Sequence, residues 1–402
     1  MTTTRDTVAR RVPDVGTARR WSMLGASTLA QAAAAVMVHG PAFLIPVLHA
    51  RLGLSLAEAG LVAAAPTVGV MLALVAWGLV SDLRGERFVL VSGLALTTLA
   101  GVASTLTDRL PLLVLTLLLA GASAASTNAA SGRVVVGWFP AGRRGLAMGV
   151  RQMAQPVGVG VAALSMAVVA DGHGVQAALW VPTVACGLAT VVVALVVVDP
   201  PRPEAAAGIA PNPYRRDGYL TRIHGVSVLL VVPQFLVWTF ALVWLVQDRH
   251  WSAAGAGSVV AASQLAGAVG RIAAGHLSDV VGSRMRPLRW VAAAAGTTMA
   301  LLGLAAGAGW AVAVALMVLA TVLTVADNGL AFTAVAERAG PFWSGRALGI
   351  QNTAQFLAAS AVPPLAGLAV AAFGYSATFA LGALFALAAL PLVPVAAERE
   401  LS

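Results

Sequence analysis

The sequence predicts an all-helical membrane protein with twelve spans in two pseudo-symmetric six-helix bundles, and three observations carry that reading. Of 402 residues, 59% are hydrophobic and 10% are charged, against about a quarter charged in an ordinary soluble domain. Apolar runs of about 20 residues recur along the whole chain, the length a helix needs to cross a hydrocarbon core of roughly 30 Å. Arginines gather in every second connection between those runs. A membrane barrel would alternate apolar and polar residues along each strand. Stretches such as Leu112–Ala120 and Val191–Val198 do not alternate, so the spans are helices.

Taken in order, the expected spans are 22–48, 57–79, 88–107, 112–135, 147–170 and 175–198. The second six are 223–247, 256–277, 288–308, 312–335, 347–372 and 376–396. A tail (1–21) precedes the first bundle (22–198), and a short tail (397–402) follows the second (223–396). Between the bundles lies 199–222, DPPRPEAAAGIAPNPYRRDGYLTR, which has five prolines and no apolar run. It reads as a linker.

The basic residues fix the expected orientation. All 25 are arginine, and 20 of them lie in the tails, the linker and the alternate loops on one side, against three (Arg51, Arg109, Arg249) on the other. Loops rich in positive charge stay in the cytoplasm, so both termini are expected there, in a protein of the cell membrane. Tryptophans such as Trp21, Trp138, Trp180, Trp251, Trp290 and Trp310 fall near span ends, where indole rings suit the interface. The net charge of +9 is thereby a topogenic signal facing acidic lipid headgroups, and nucleic acid is not an expected partner. The single cysteine, Cys186, excludes a disulfide framework and a cysteine-based metal site. The polar stretch Met1–Arg20, followed by a long apolar run, lacks the form of a cleaved leader.

The two halves repeat. Gly78-Leu-Val-Ser-Asp82-Leu-Arg84-Gly85-Glu-Arg87, between spans 2 and 3, returns as Gly275-His-Leu-Ser-Asp279-Val-Val-Gly282-Ser-Arg284, between spans 8 and 9, at an offset of 197. Ala147-Met-Gly-Val-Arg151-Gln-Met-Ala-Gln155 returns as Ala347-Leu-Gly-Ile-Gln351-Asn-Thr-Ala-Gln355 at an offset of 200, which Asn128 and Asn328 share. In these loops Gly78 and Gly275 allow close helix approach, and Gly85 and Gly282 allow a tight turn. Asp82 and Asp279 can accept hydrogen bonds from a neighbouring helix N-terminus, with Arg84, Arg87 and Arg284 beside the lipid headgroups. Such a loop reads as a conformational latch rather than a solute site.

The pattern G-x-x-x-D-x-x-G-x-R, repeated at these two places, resembles the signature loop of the major facilitator superfamily. The resemblance runs over about residues 20–396, and Arg133–Pro140 with Arg144-Gly145 is similar to the family's segment between spans 4 and 5. It implies a transporter that works by rocking two parallel repeats about a midplane site. Gly270-Arg271-Ile-Ala-Ala-Gly275 in span 8 is similar to the same span of carboxylate carriers, such as monocarboxylate and oxalate transporters, and implies an anion-binding role for Arg271. The acidic residue that precedes it in monocarboxylate carriers is replaced here by Gly267.

Polar side chains inside spans are costly and face protein or a cavity. They are Gln31 and His39 (span 1), Asn128 (span 4), Arg151, Gln152 and Gln155 (span 5), and Gln234 (span 7). Gln264 and Arg271 follow in span 8, Asp327 and Asn328 in span 10, and Gln351, Asn352 and Gln355 in span 11. Away from their ends, spans 3, 6, 9 and 12 have no charged or amide side chain. The family places those four at the periphery and lines its cavity with the rest. Arg151 with Gln155, and Gln351 with Gln355, each share a helix face, as do Gln264 and Arg271. Candidate solute ligands are therefore Arg271, Arg151, Gln264, Asn128, Asn328, Gln155, Gln351, Gln355, Gln31 and the mid-span Trp238.

Bland readings stand beside each. Arg271 could pair with Asp327, Arg151 could reach back to the interface, and the amides could bond helix to helix. Asp327, the one acid deep in a span, and His39 are the proton-coupling candidates, though His39 before Gly40-Pro41 also suits a kink.

Two deep arginines against one deep acid favour a small organic anion as the solute, with a proton as the candidate coupled ion and a monomer as the working unit. The alternatives are efflux of amphipathic compounds, and a receptor that does not transport. Gln155-Pro156-Val-Gly158-Val-Gly160 departs from the Gly-Pro-x-x-Gly-Gly of the family's antiporters, which weakens efflux. No nucleophile elbow, His-Glu-x-x-His or P-loop is present, so neither an enzyme nor a cofactor is expected. If the orientation is right, cysteines placed at Asp108, Gly172 or Gly309 will react with an impermeant maleimide from outside intact cells, and those at Arg143 or Pro211 will not. The reverse labelling would invert the topology.

Overall fold

The computed structural model describes residues 15–200 and 211–399, so the middle of the expected linker and the outermost residues of both tails lie outside it. Every regular element among the described residues is helical. The first half holds α1 (Thr17–His39), α2 (Ile45–Leu52), α3 (Leu56–Arg84), α4 (Glu86–Thr105), α5 (Leu110–Trp138), α6 (Ala141–Gln152), α7 (Ala154–His173) and α8 (Val175–Val196). The second holds α9 (Tyr219–Gln247), α10 (Ala253–Val281), α11 (Met285–Gly307), α12 (Val312–Ala339) and α13 (Ser344–Ala389).

These thirteen helices make twelve spans because two of the expected spans are each broken into two helices and two others run together. Span 1 breaks after His39, where a 3-10 turn (Gly40–Leu44) carries Pro41, and resumes as α2. Span 5 breaks at Met153, between α6 and α7, with Pro156 just inside the second helix. Spans 11 and 12 run together in α13 and separate at Gly374, whose φ of 79° and ψ of 172° only glycine adopts easily. Ten helical stretches among the described residues are long and apolar enough to cross a membrane. Dividing the last of them at Gly374 and adding the 29-residue α10 gives the expected twelve.

Helix starts lie up to nearly two turns outside the expected limits. α1 begins at Thr17 and so takes in Trp21, and α9 begins at Tyr219 rather than 223. Ser55 caps α3 by accepting from the Glu58 amide, while the Glu58 carboxylate accepts from the Ser55 amide, a reciprocal cap that satisfies two otherwise orphaned donors. Large apolar side chains point outward, with Leu72, Leu164 and Leu195 each more than 70% exposed. That is the surface of a protein solvated by lipid tails rather than by water.

The halves meet through glycine. A Cβ on Gly78 would lie 2.4 Å from the Gly345 carbonyl oxygen, and one on Gly275 would lie 2.1 Å from that of Gly145. One turn deeper, Gly149 rests on the Arg271 backbone and Gly349 on the Leu74 backbone. α3 against α13 and α10 against α6 are thus two copies of one contact, as the repeat requires. All of these contacts lie toward the end of the bundle that carries the arginine-rich loops, and there the halves are shut together. Because backbone meets backbone, no side-chain rotation can relieve a methyl group placed there. Gly78→Ala and Gly275→Ala should each cut transport at least about tenfold while the protein still purifies as a folded species. Wild-type rates in both would show that this contact plays no part in the cycle.

Candidate functional site

A polar cavity of about 50 Å³ lies at the centre of the molecule. Amides from both halves line it (Gln31, Asn128, Gln152, Gln155, Gln234, Asn328, Asn352 and Gln355), together with Arg271, Phe235, Phe332 and Phe356. One smaller pocket beside it extends toward Trp238, Gln264 and Thr321, again touching Arg271. Another extends toward His39, Val38 and Val70. α4, α8, α11 and the part of α13 beyond Gly374, which are the spans without polar residues, contribute nothing to these walls.

The amides are arranged in two matched clusters. In the first half, Gln31 donates to Asn128 (3.2 Å) and accepts from Ser131 (3.0 Å). In the second, Asn328 donates to Gln234 (3.1 Å) and accepts from Gln355 (2.9 Å). Each cluster ties the first helix of its half to the fourth. Gln155, the counterpart of Gln355, instead approaches His39 at 3.5 Å. The bland reading of these amides as inter-helix bonds is therefore correct, yet the same groups also form the cavity wall.

Arg271 is the charged group of this wall. It is 7% exposed, and its guanidinium donates to the Gln152 backbone oxygen at 2.7 Å, while Nε has no partner. Asp327 is 1% exposed and has one carboxylate oxygen without a partner. The two charges interact through space, but no ion pair within 4 Å joins them. The pairing that spacing allowed has not formed in this conformation.

Two nominated ligands lie elsewhere. Arg151 is 1% exposed and held by Ser131, Gln152 and the Asn128 carbonyl, with its guanidinium over the Phe332 ring. It neither reaches back to the interface nor lines the cavity. Its counterpart Gln351 is wholly buried, bonded to His224 and Ser227. Arg151 and Gln351 thus bind each half's α6 or α13 to its neighbours, and only the residues one turn on, Gln155 and Gln355, reach the cavity. Sequence reasoning missed the three phenylalanines and His224, which also meets the Tyr214 hydroxyl at 2.9 Å. It noted Gln152, Gln234 and Asn352 as polar without nominating them, although the offset of 200 relates Gln152 to Asn352 as it relates Gln155 to Gln355.

The latch sits about two helical turns below the cavity, since Asp279 follows Arg271 by eight residues along α10. Asp82 accepts from the backbone amides of Gly345 (2.9 Å) and Arg346 (3.1 Å), at the start of α13. Asp279 accepts from those of Gly145 (3.0 Å) and Leu146 (2.8 Å), in the first turns of α6. Each carboxylate thus holds a helix N-terminus of the opposite half, where amides and the helix dipole favour a negative charge. Gly85 and Gly282 turn the chain beside them at φ 102° and 65°.

The arginines divide differently from expectation. Arg284 does serve the latch, bonding Asp279, Ser278 and Glu337. The guanidinium of its counterpart Arg87 donates instead to the Ala194 carbonyl, while the Arg87 backbone amide donates to Asp199, and Arg84 is exposed over Phe88. The cations on Asp82 are Arg133, from α5, and Arg346, from α13; Arg133 also binds the fully buried Glu86. The loop's own arginines are two and five residues from its aspartate in sequence, which hid the fact that another helix supplies the partner.

The family model described as Major Facilitator Superfamily matches residues 26–363 and 235–400. The chain belongs to the major facilitator superfamily. An uncharacterized MFS-type transporter of Mycobacterium tuberculosis is 46% identical over 383 residues, covering 94% of this chain and 86% of the relative. Among solved structures of the superfamily, the proton:xylose symporter XylE, bound to 6-bromo-6-deoxy-D-glucose, superposes with a TM-score of 0.77 at 17% identity, covering 96% of this chain and 98% of that one. The human organic anion transporter MFSD10 gives 0.72 at 16%, covering 93% and 99%. Identities this low show the shared fold, an MFS transporter's, and the choice of solute rests on the chemistry of the cavity.

Asp82→Asn keeps the shape of the latch but removes the charge that faces two amides and two guanidinium groups. Transport should fall at least about tenfold, with solute affinity within a few fold of wild type. Loss of affinity would make the loop part of the binding site.

Proposed function

We propose that the protein is a secondary transporter of a small organic anion, most simply a carboxylate, working by alternating access across the cell membrane. The carrying observation is Arg271. Among the described residues it is the single charged side chain on the walls of the central cavity and its two side pockets, and its Nε is without a partner. A buried donor with no acceptor costs about 1–3 kcal/mol, which an incoming anion would recover. A planar guanidinium matches a carboxylate's two oxygens, whereas an ammonium offers only a point charge. The surrounding amides suit the solute's hydroxyl, carbonyl or second acidic group, and Phe235, Phe332 and Phe356 suit its carbon skeleton.

Placed with both termini in the cytoplasm, the molecule is shut on the cytoplasmic side of its cavity. Asp327, behind Arg271 and lacking a partner for one oxygen, is the proton-coupling candidate. His39, beside Gln155, is the other. The superfamily includes proton symporters such as XylE and anion carriers such as MFSD10, and both chemistries fit this arrangement.

A thermal-shift screen of the purified protein against carboxylates, sugars and cationic amphiphiles tests the solute class, because a ligand stabilises the state it binds. Carboxylates should raise the melting temperature. A response to sugars alone, or to cationic amphiphiles alone, would replace the anion reading. Arg271→Lys should fold and lose at least about tenfold in carboxylate affinity, near 1.4 kcal/mol, and Arg271→Ala should lose binding altogether. If Arg271 only balances the charge of Asp327, the double change Arg271→Ala with Asp327→Ala will restore transport, since no lone buried charge remains. A folded but inactive double mutant supports the anion site.

A further inference from the structure

The two interfaces between the halves are copies of one another, and one of their differences lies at the floor of the cavity. Gly149 rests on Arg271 where Gly349 rests on Leu74, and at the offset of 197 Leu74 is the counterpart of Arg271. The segments facing them also differ. In a continuous helix the Gln152 carbonyl would accept from the amide four residues on, but that residue is Pro156, which has no N–H to give. The orphaned carbonyl is the one that Arg271 reaches from the other half, at 2.7 Å. In the copy, the residue four beyond Asn352 is Phe356, which keeps its amide; α13 runs on unbroken there, while α6 ends at Gln152. The helix with the missing donor is thus the one that faces the arginine.

We propose that Pro156 is a positioning residue of the transport cycle: by leaving the Gln152 carbonyl unpaired it gives Arg271 a docking point on the opposite half, and this bond holds the halves together at the floor of the cavity. A charged donor on a backbone carbonyl away from water is a strong bond. It spans two bodies that must separate when this end of the molecule opens, so it favours the closed-floor conformation. The guanidinium is held through one nitrogen only, with Nε left over, so a solute anion would meet a group already aimed into the cavity. That last step rests on the anion reading above. The bond between the halves does not.

The test is made on the full chain with Cys186 replaced by Ala and spin labels on cysteines at Arg143 and Arg286, in the first turns of α6 and α11, on opposite halves at the latch end. Electron–electron distance measurements then give the populations of the closed and open floor. Pro156→Ala returns an amide to the Gln152 carbonyl and suits a helix, so folding is not at risk. Without any solute, it should raise the open-to-closed ratio at least about fivefold. Arg271→Ala should do the same, and the double variant should do no more than either, because both remove one bond. An unchanged ratio in Pro156→Ala, or additive effects in the double variant, would overturn the proposal. Failure of every carboxylate to stabilise the wild type would overturn the solute assignment and leave these populations as they stand.

Discussion

An α-helix begins with amides that have no acceptor of their own, and two helices of this molecule begin at the contact between its halves. The carboxylates that meet them, Asp82 under α13 and Asp279 in the first turns of α6, belong in each case to the other half. The close approach of Gly78 to Gly345 and of Gly275 to Gly145 follows from this, because a carboxylate one turn away reaches those amides only if the backbones touch. The charged residues around each aspartate follow as well, since a buried carboxylate needs cations. Arg133, Glu86 and Arg346 gather on one side, Arg284, Glu337 and Arg144 on the other. Arg133 and Arg284 hold each cluster in place within its own half, while Arg346 on Asp82, Arg144 on Glu337 and the carboxylate–amide bonds hold one half to the other. A transporter needs such strength to be concentrated where it can be made and broken as a unit.

Above the latch the interactions change in kind. The amide clusters Gln31–Asn128–Ser131 and Gln234–Asn328–Gln355 each stay within one half. The halves can therefore rock without breaking them, and the cavity wall moves as two rigid pieces. Arg271 is the exception, with its body in one half and its hydrogen bond in the other. It is also the charged side chain of the wall, so charge recognition and contact between the halves are vested in one group.

Much of this was legible in the sequence. Apolar run length and arginine distribution gave the spans, and the offsets of 197 and 200 gave the pseudo-symmetry and the latch aspartates with their helix N-termini. The polar residues sorted cavity helices from lipid-facing ones. What escaped lay across the chain rather than along it. Helical spacing puts Arg151 and Gln155 on one face, but a face is about a third of a circle, and whether its edge meets a neighbour or the cavity depends on rotation by a few tens of degrees. Arg151 and Gln351 fell on the inner edge. Arg84 and Arg87 were in the right loop, but the cation for Asp82 came from Arg133, 51 residues away. The breaks at Gly40 and Met153 follow from nearby prolines. The partner of the carbonyl that one of them leaves free was not in the local sequence at all.

The amide pairs of the cavity carry one more implication, for how tightly any cargo can be held. Their donors and acceptors are already engaged with one another when no solute is present. A guest that bonds to Asn328 or Gln31 must displace an existing partner, so the exchange releases little net free energy. A receptor built this way would be a poor one, because it would let go of what it recognised. For a carrier that must surrender its passenger on the far side at every turn, a shallow well shortens the wait for release, and modest grip becomes the condition for speed.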